Sequence, residues 1–232
     1  MNKTDPGKFE FKYRISEAAV EQYEKEGKGF TLKQVSRQAD CTVADILEYF
    51  PGKKAILQFY YTGLLVRYRL MLEDIEGFDD YLLAEKLSNF VYTSFDLLDE
   101  HKSFVRETFT PLIFCSYSGT GFEQQTRELL ERFFSGDPRI SSSSALLMNR
   151  YFYQVLYRKY TALIRFWLKD TSEEQEVSME LTDKYTAFLQ ELVYSAAVDK
   201  GFDLAKFLFS NAVFSSGFQS IKNLFPEIEI RD

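Results

Sequence analysis

At 232 residues the chain is long enough for one large domain or a small one joined to a larger, and 45% hydrophobic with 27% charged residues is an ordinary globular balance. Only 5 Pro and 11 Gly interrupt it, which favours long helices over many short strands. The net charge of -7 excludes a chain coated in nucleic acid, yet it is uneven: residues 1–60 hold ten Lys/Arg and nine Asp/Glu, and the remainder carries a net -8.

The 23 Phe and 15 Tyr are more than usual, and composition leaves open whether they fill a core or line an apolar cavity. The first twenty residues lack the apolar segment of a signal peptide. The uncharged stretch Phe207 to Ile221 is 15 residues long, short of the ~20 apolar residues of a membrane span. Cys41 and Cys115 make neither a disulfide framework nor a metal cluster, so the expected setting is reduced and cytoplasmic, away from membranes.

In chain order, residues 1–11 are polar with Pro6 and Gly7 and read as a loose arm. Ile15, Ala18, Ala19 and Tyr23 recur at helical spacing, and Gly27 and Gly29 end that helix. Thr31 with Gln34 makes a capping box that opens a short helix through about Gln38, its inward face carrying Val35. Thr42 with Asp45 makes a second, opening a helix through about Tyr49. Between them Ala39-Asp40-Cys41 is the short turn of a helix-turn-helix. Pro51-Gly52 breaks the chain before a long helix from Lys53 towards Glu76.

Further breaks fall near Gly77, around Gly119 to Gly121, and at Gly136-Asp137-Pro138. The serine run Ser141 to Ser144 opens a helix to about Lys169. Along it Met148, Phe152, Val155, Ala162 and Phe166 make an apolar line, opposite Arg150, Arg158, Arg165 and Lys169. Another helix spans about Glu173 to Asp199, and a last one runs from Asp203 to about Leu224 before Pro226. In that last helix Leu204, Leu208, Asn211, Ser215 and Phe218 form a seam that wants a partner, with small residues allowing close approach. No strand pair emerges, so the expected class is all-α.

Three stretches carry a resemblance. Ile15 to Gly27, Thr31 to Thr42 (with Val35-Ser36 where the family usually has Ile-Ala), and Glu48-Tyr49-Phe50-Pro51-Gly52-Lys53-Lys54-Ala55-Ile56-Leu57 are similar to the first helix, the second helix with its turn, and the aromatic-Phe-Pro-Ser-Lys-Glu-x-Leu signature of the TetR family. The resemblance implies a helix-turn-helix head over residues 1–54 and a helical ligand-binding and dimerisation body over residues 55–232. It places Thr31, Lys33, Thr42, Val43, Ala44, Tyr49 and Lys53 at double-stranded DNA, with Thr42, Val43 and Ala44 facing base edges and Lys53 on phosphate. It also implies that the seam of Leu204, Leu208, Asn211, Ser215 and Phe218 joins a homodimer through the last two helices. The chain departs from the family at Asp40 (a turn glycine), Ala44 (glycine), Asp45 (threonine) and Leu47 (a phosphate-binding tyrosine), and Glu48 adds a second acid to the recognition helix.

No catalytic constellation, metal-ligand spacing or phosphate-binding glycine loop is present in the sequence, so neither an enzyme nor a cofactor is expected. His101, the single histidine, reads as an exposed helix end beside Glu100 and Lys102. The expected function is a ligand-released repressor with a small apolar ligand held in the body. The expected cavity is roughly 300–1,000 Å³, lined from helices between Tyr81 and Trp167. The alternative, favoured by Asp45, Glu48 and the missing tyrosine, is a TetR-fold carrier of a lipid or other hydrophobic ligand that does not bind DNA.

Overall fold

A computed structural model describes residues 6–116, 119–195 and 200. Among these the regular structure is entirely helical: α1 (Pro6–Glu26), α2 (Leu32–Gln38), α3 (Val43–Tyr49), α4 (Lys53–Glu73), α5 (Leu83–Asp99), α6 (Lys102–Phe109), α7 (Gly121–Ser135), α8 (Ser142–Leu147), α9 (Arg150–Trp167) and α10 (Glu176–Tyr194). The last helix expected from the sequence, with the Leu204 to Phe218 seam, lies outside the described residues. No described helix is long and apolar enough to cross a membrane.

The N-terminal arm expected over residues 1–11 is corrected from Pro6 onward, where the chain is already helical. Proline is tolerated in a first helical turn, and the helix extends this far because its aromatic side chains have partners. Phe9 stacks on Tyr13 at 5.8 Å and meets Phe59 of α4 at 6.2 Å. Phe11 meets the edge of Tyr49 at 5.6 Å. A turn of 3-10 helix over Gly27–Gly29 then closes α1, as the two glycines anticipate.

Helix α4 is the spine of the molecule. It packs on α1 on one side and on α5 and α7 on the other. Contact with α1 is tightest at Gly63, where an added Cβ would stand 2.5 Å from Cδ2 of Tyr13. That ring cannot swing away freely, because Phe9 stacks on it and its hydroxyl accepts from Arg67 at 3.0 Å. Arg67 in turn grips Glu100 through two bonds of 2.7 and 2.8 Å. Gly63→Ala is therefore expected to lose about 1–3 kcal/mol to overpacking, although alanine in a free helix is better than glycine by about 1 kcal/mol. Thermal melts of the two proteins check this; an unchanged or higher midpoint would refute the tight crossing.

In the body α5 lies against α10, and α7 against α9. The aromatic surplus is spent there as core. Phe90 stacks on Tyr160 at 4.6 Å, Phe95 on Trp167 at 5.0 Å, and Phe122 on Tyr160 at 6.1 Å. Two apolar spaces between these helices measure about 20 and about 10 Å³, each about one water in size. These two spaces are far smaller than the ligand-sized cavity expected inside the body, because rings occupy the room between the helices.

The single helix expected from the serine run is two. Ser141 caps α8 by accepting from the Ser144 amide at 3.2 Å, and Asn149 caps α9 by accepting from the amides of Tyr151 and Phe152. The apolar line assigned to it is corrected as well. Val155 is 55% exposed and Phe166 41%, whereas Tyr153, Leu156, Tyr157, Tyr160, Ile164 and Trp167 are buried. The burial stripe runs through the tyrosines. The connection from α9 to α10 is tied by Asp170, whose carboxylate accepts from the amides and hydroxyls of both Ser172 and Ser178.

Candidate nucleic-acid interface

Helices α2 and α3 sit against α1 through a small, fully buried core. Ile15, Ala19, Val35, Ala39 and Ile46 are all 0% exposed, and Phe50 closes the end at 3%. Both capping boxes form as the sequence implies. Thr31 Oγ1 accepts from the Gln34 amide at 3.3 Å while Gln34 Oε1 accepts from the Thr31 amide at 2.7 Å. Thr42 Oγ1 accepts from the Asp45 amide at 3.1 Å while Asp45 Oδ2 accepts from the Thr42 amide at 2.8 Å.

Two of the departures from the family thus have structural reasons. Asp45 is the reciprocal cap of α3, and the backbone bond from Thr42 and then its hydroxyl hold the carboxyl below its ordinary range. Asp40 adopts φ 49°, the left-handed conformation a turn glycine would take, and Asp is among the residues that tolerate it. The Cys41 amide then donates to Ser36 O at 3.0 Å and closes the turn. Leu47, 51% exposed, and the exposed Glu48 gain no such account.

The sequence-derived contact residues fall into two groups. Thr31, Lys33, Thr42 and Ala44 are exposed on α2 and α3, and Val43 is half-buried beside them. Tyr49 is half-buried under the Phe11 ring, with the Lys8 ammonium 5.2 Å from its centroid. Lys53 stands apart. Its Nζ donates to Lys28 O at 3.1 Å and Phe30 O at 2.7 Å, and lies 4.7 Å from the Phe30 ring centre. Two of its three N–H groups therefore hold the turn entering α2, leaving one for a phosphate oxygen.

Sequence reasoning missed Lys8, Lys12 and Arg37. Arg37 is exposed on α2, and Lys12 lies 4.2 Å from the Phe59 centroid and 5.4 Å from that of Phe50. Phe9 and Tyr13, four residues apart, were the signal that the helix starts early and carries these lysines beside α3.

Several acids of α1 have partners of their own. Glu17 and Glu24 accept from His101 at 3.2 and 3.0 Å, Ser103 donates to Glu24 at 2.6 Å, and Glu21 accepts from Gln38. His101 is correspondingly not the exposed helix end expected, its side chain being 16% exposed. Of the acids of α1, Glu17 and Glu24 thus turn towards the body, while Glu21 and Glu26 accept from Gln38 and Gln34 of α2, and Asp40 and Glu48 are exposed among the bases there.

A three-helix N-terminal unit whose second and third helices are joined by a short turn, followed by a larger helical body, is the architecture of a helix-turn-helix regulator. The profile described as "Tetracyclin repressor-like, C-terminal domain" matches residues 86–208, more than half of the chain. The chain belongs to the tetracyclin repressor-like (TetR) family. Among solved structures, it is similar to a TetR transcriptional regulator from Nitrosomonas europaea ATCC 19718, with TM-score 0.56 and 15% identity over 76% of this chain and 96% of that one. It is also similar to a TetR-family transcriptional regulator from Streptomyces coelicolor, with TM-score 0.50 and 12% identity over 93% and 97%. At these identities the likeness is one of fold. No curated protein sequence matches the chain.

Proposed function

We propose that the protein is a cytoplasmic, homodimeric DNA-binding transcriptional regulator, a repressor released by a small molecule, with residues 1–54 as the DNA-binding unit and 55–232 as the regulatory and dimerisation unit. The observation that carries this reading is the helix-turn-helix with Lys33, Arg37, Thr42 and Ala44 exposed on one unit, while Glu17 and Glu24 of α1 are taken up by His101. Helix N-termini with exposed hydroxyls suit phosphate, and Thr42, Val43 and Ala44 occupy the base-reading end of α3. Release follows from linkage: a ligand that binds better to the head spacing unsuited to DNA lowers operator affinity by that difference.

Selection of binding sites from random DNA, followed by titration at several salt concentrations, tests the reading. The expected result is a sequence-preferring site of two half-sites roughly 34–36 Å apart or a multiple of it. Lys53→Ala is expected to weaken all sequences alike and to lower the salt slope by about 1. Weaker binding with an unchanged slope would show instead that Lys53 only ties the turn at Phe30. Absence of salt-dependent, sequence-preferring binding by an intact dimer would overturn the regulator in favour of the hydrophobic-ligand carrier, the reading that Leu47 and Glu48 on α3 support. Both the carrier and the ligand-released repressor need room for an apolar ligand, and the two spaces between the body helices hold about 20 and 10 Å³.

A further inference from the structure

An open groove of about 340 Å³ lies where the N-terminal unit meets the body. Its floor is apolar, formed by Phe30 ahead of α2, Leu57 of α4, and Pro111 and Leu112 in the single π-helical turn Thr110–Phe114 that follows α6. One rim carries three cations, Lys28, Lys53 and Lys54; facing them is one acid, Glu107, which accepts from Tyr23 Oη at 3.1 Å. Lys28 and Lys54 are exposed. An apolar floor with a net positive rim matches a ligand that is apolar along its body and anionic at one end. Nucleic-acid phosphate would use the rim and leave the floor wet, so the floor sets the occupant as an organic molecule.

We infer that this groove binds a small amphipathic organic anion, an aromatic or branched apolar group bearing a carboxylate or sulfonate. The position gives the site a consequence. Its walls come from α1 and the turn before α2 on one side, and from α6 and the π turn on the other, so an occupant touches both units at once. Lys53, whose ammonium holds the Lys28 and Phe30 carbonyls, also lines the groove. An anion there draws on the same ammonium that fixes the entry to α2. Binding is independent of the regulator reading; its effect on DNA affinity rests on that reading.

The probe is 1-anilinonaphthalene-8-sulfonate, compared with N-phenyl-1-naphthylamine, the same ring system without the sulfonate, both titrated by fluorescence against the full chain without DNA. The expected result is one saturable site per chain for the anion, about tenfold tighter than for the neutral compound. The exposed double variant Lys28→Glu/Lys54→Glu is expected to weaken the anion about tenfold and leave the neutral compound unchanged. Leu112→Trp, which fills the floor, is expected to remove both, with circular dichroism reporting that it is folded. Equal binding of the anion to the wild type and to both variants would overturn the site and assign the signal to other apolar surface, such as Val155 and Phe188 on α9 and α10. With selected DNA present, the anion is expected to lower wild-type affinity about tenfold, within the usual range of allosteric coupling, and to leave the affinity of Leu112→Trp as it is. Binding in the groove with no change in DNA affinity would refute the coupling alone.

Discussion

Tyr160→Ala is expected to be the most damaging single truncation in the body, at about 3–5 kcal/mol, the usual cost of removing a large buried aromatic. The ring is 5% exposed, stacks on Phe90 at 4.6 Å, and donates its hydroxyl to Ser94 Oγ at 2.8 Å. It also lines both small apolar spaces, so its removal fuses them into one cavity large enough for an aromatic ring. An apolar cavity of that kind stays dry and takes up small aromatics, and a ligand that binds only the folded state stabilises it by mass action. Urea unfolding should therefore show the variant recovering stability in millimolar phenol, with no effect on the wild type. Tyr160→Phe should cost only about 1 kcal/mol, because Ser94 still donates to Phe90 O at 2.6 Å. A loss below 1 kcal/mol for the alanine variant, or no response to phenol, would mean that the aromatic core collapses around the gap.

The second large effect belongs to His101. Its two ring nitrogens face Glu17 at 3.2 Å and Glu24 at 3.0 Å, and Tyr60 presents its ring at 5.8 Å. The bond to Glu17, against the opposing effect of burial, pushes its pKa up to about 9 from the ordinary 6.5. Burial alone would raise both carboxyls, but His101 and Tyr13 hold Glu17 low, and Ser103 and then His101 hold Glu24 low. A histidine whose pKa is higher in the folded state adds stability that is complete below pH 6.5 and is lost as pH rises through about 9. The carboxylates contribute above their ordinary range and lose that as pH falls, so the clamp is strongest between the two. His101→Gln should cost about 1–3 kcal/mol near pH 6.5 as a lost charge-assisted pair, towards the low end because solvent reaches it. The difference should shrink steadily towards pH 10 in urea unfolding. A difference independent of pH would show that the charge is not what binds α1 to α6.

What could be read from the sequence was what is local. The capping boxes at Thr31 and Thr42 place both partners within three residues, so composition and spacing are enough to find them. The start of α1 was hidden because Phe11 answers to Tyr49 and Phe9 to Phe59, far along the chain, while Pro6 and Gly7 nearby resemble a loop. The face of α9 was misassigned because tyrosine is ambiguous: Tyr153, Tyr157 and Tyr160 are core, and the more hydrophobic Val155 and Phe166 are exposed. The surroundings of His101 and the tie of Lys53 to the turn before α2 were out of reach for one physical reason. The partners stand 84 and 77 residues away for the histidine, and 25 and 23 for the lysine, and nothing in a linear pattern links them.

Helix α4 has a mechanical consequence. It is one uninterrupted helix of 21 residues, a stiff rod about 32 Å long at 1.5 Å per residue. Its first turn anchors the entry to α2 through Lys53, and its later turns are gripped by α5 and α7. A pivot of about 6° at the end gripped by α5 and α7 displaces the other end, with the helices packed on it, by about 3 Å, nearly the 3.4 Å rise of one base pair. In the proposed regulator, a pivot of that size would carry the head by about one step of the double helix. In a two-headed protein both reading heads would slip together, so a small movement at one joint is enough to take the pair out of phase with its site.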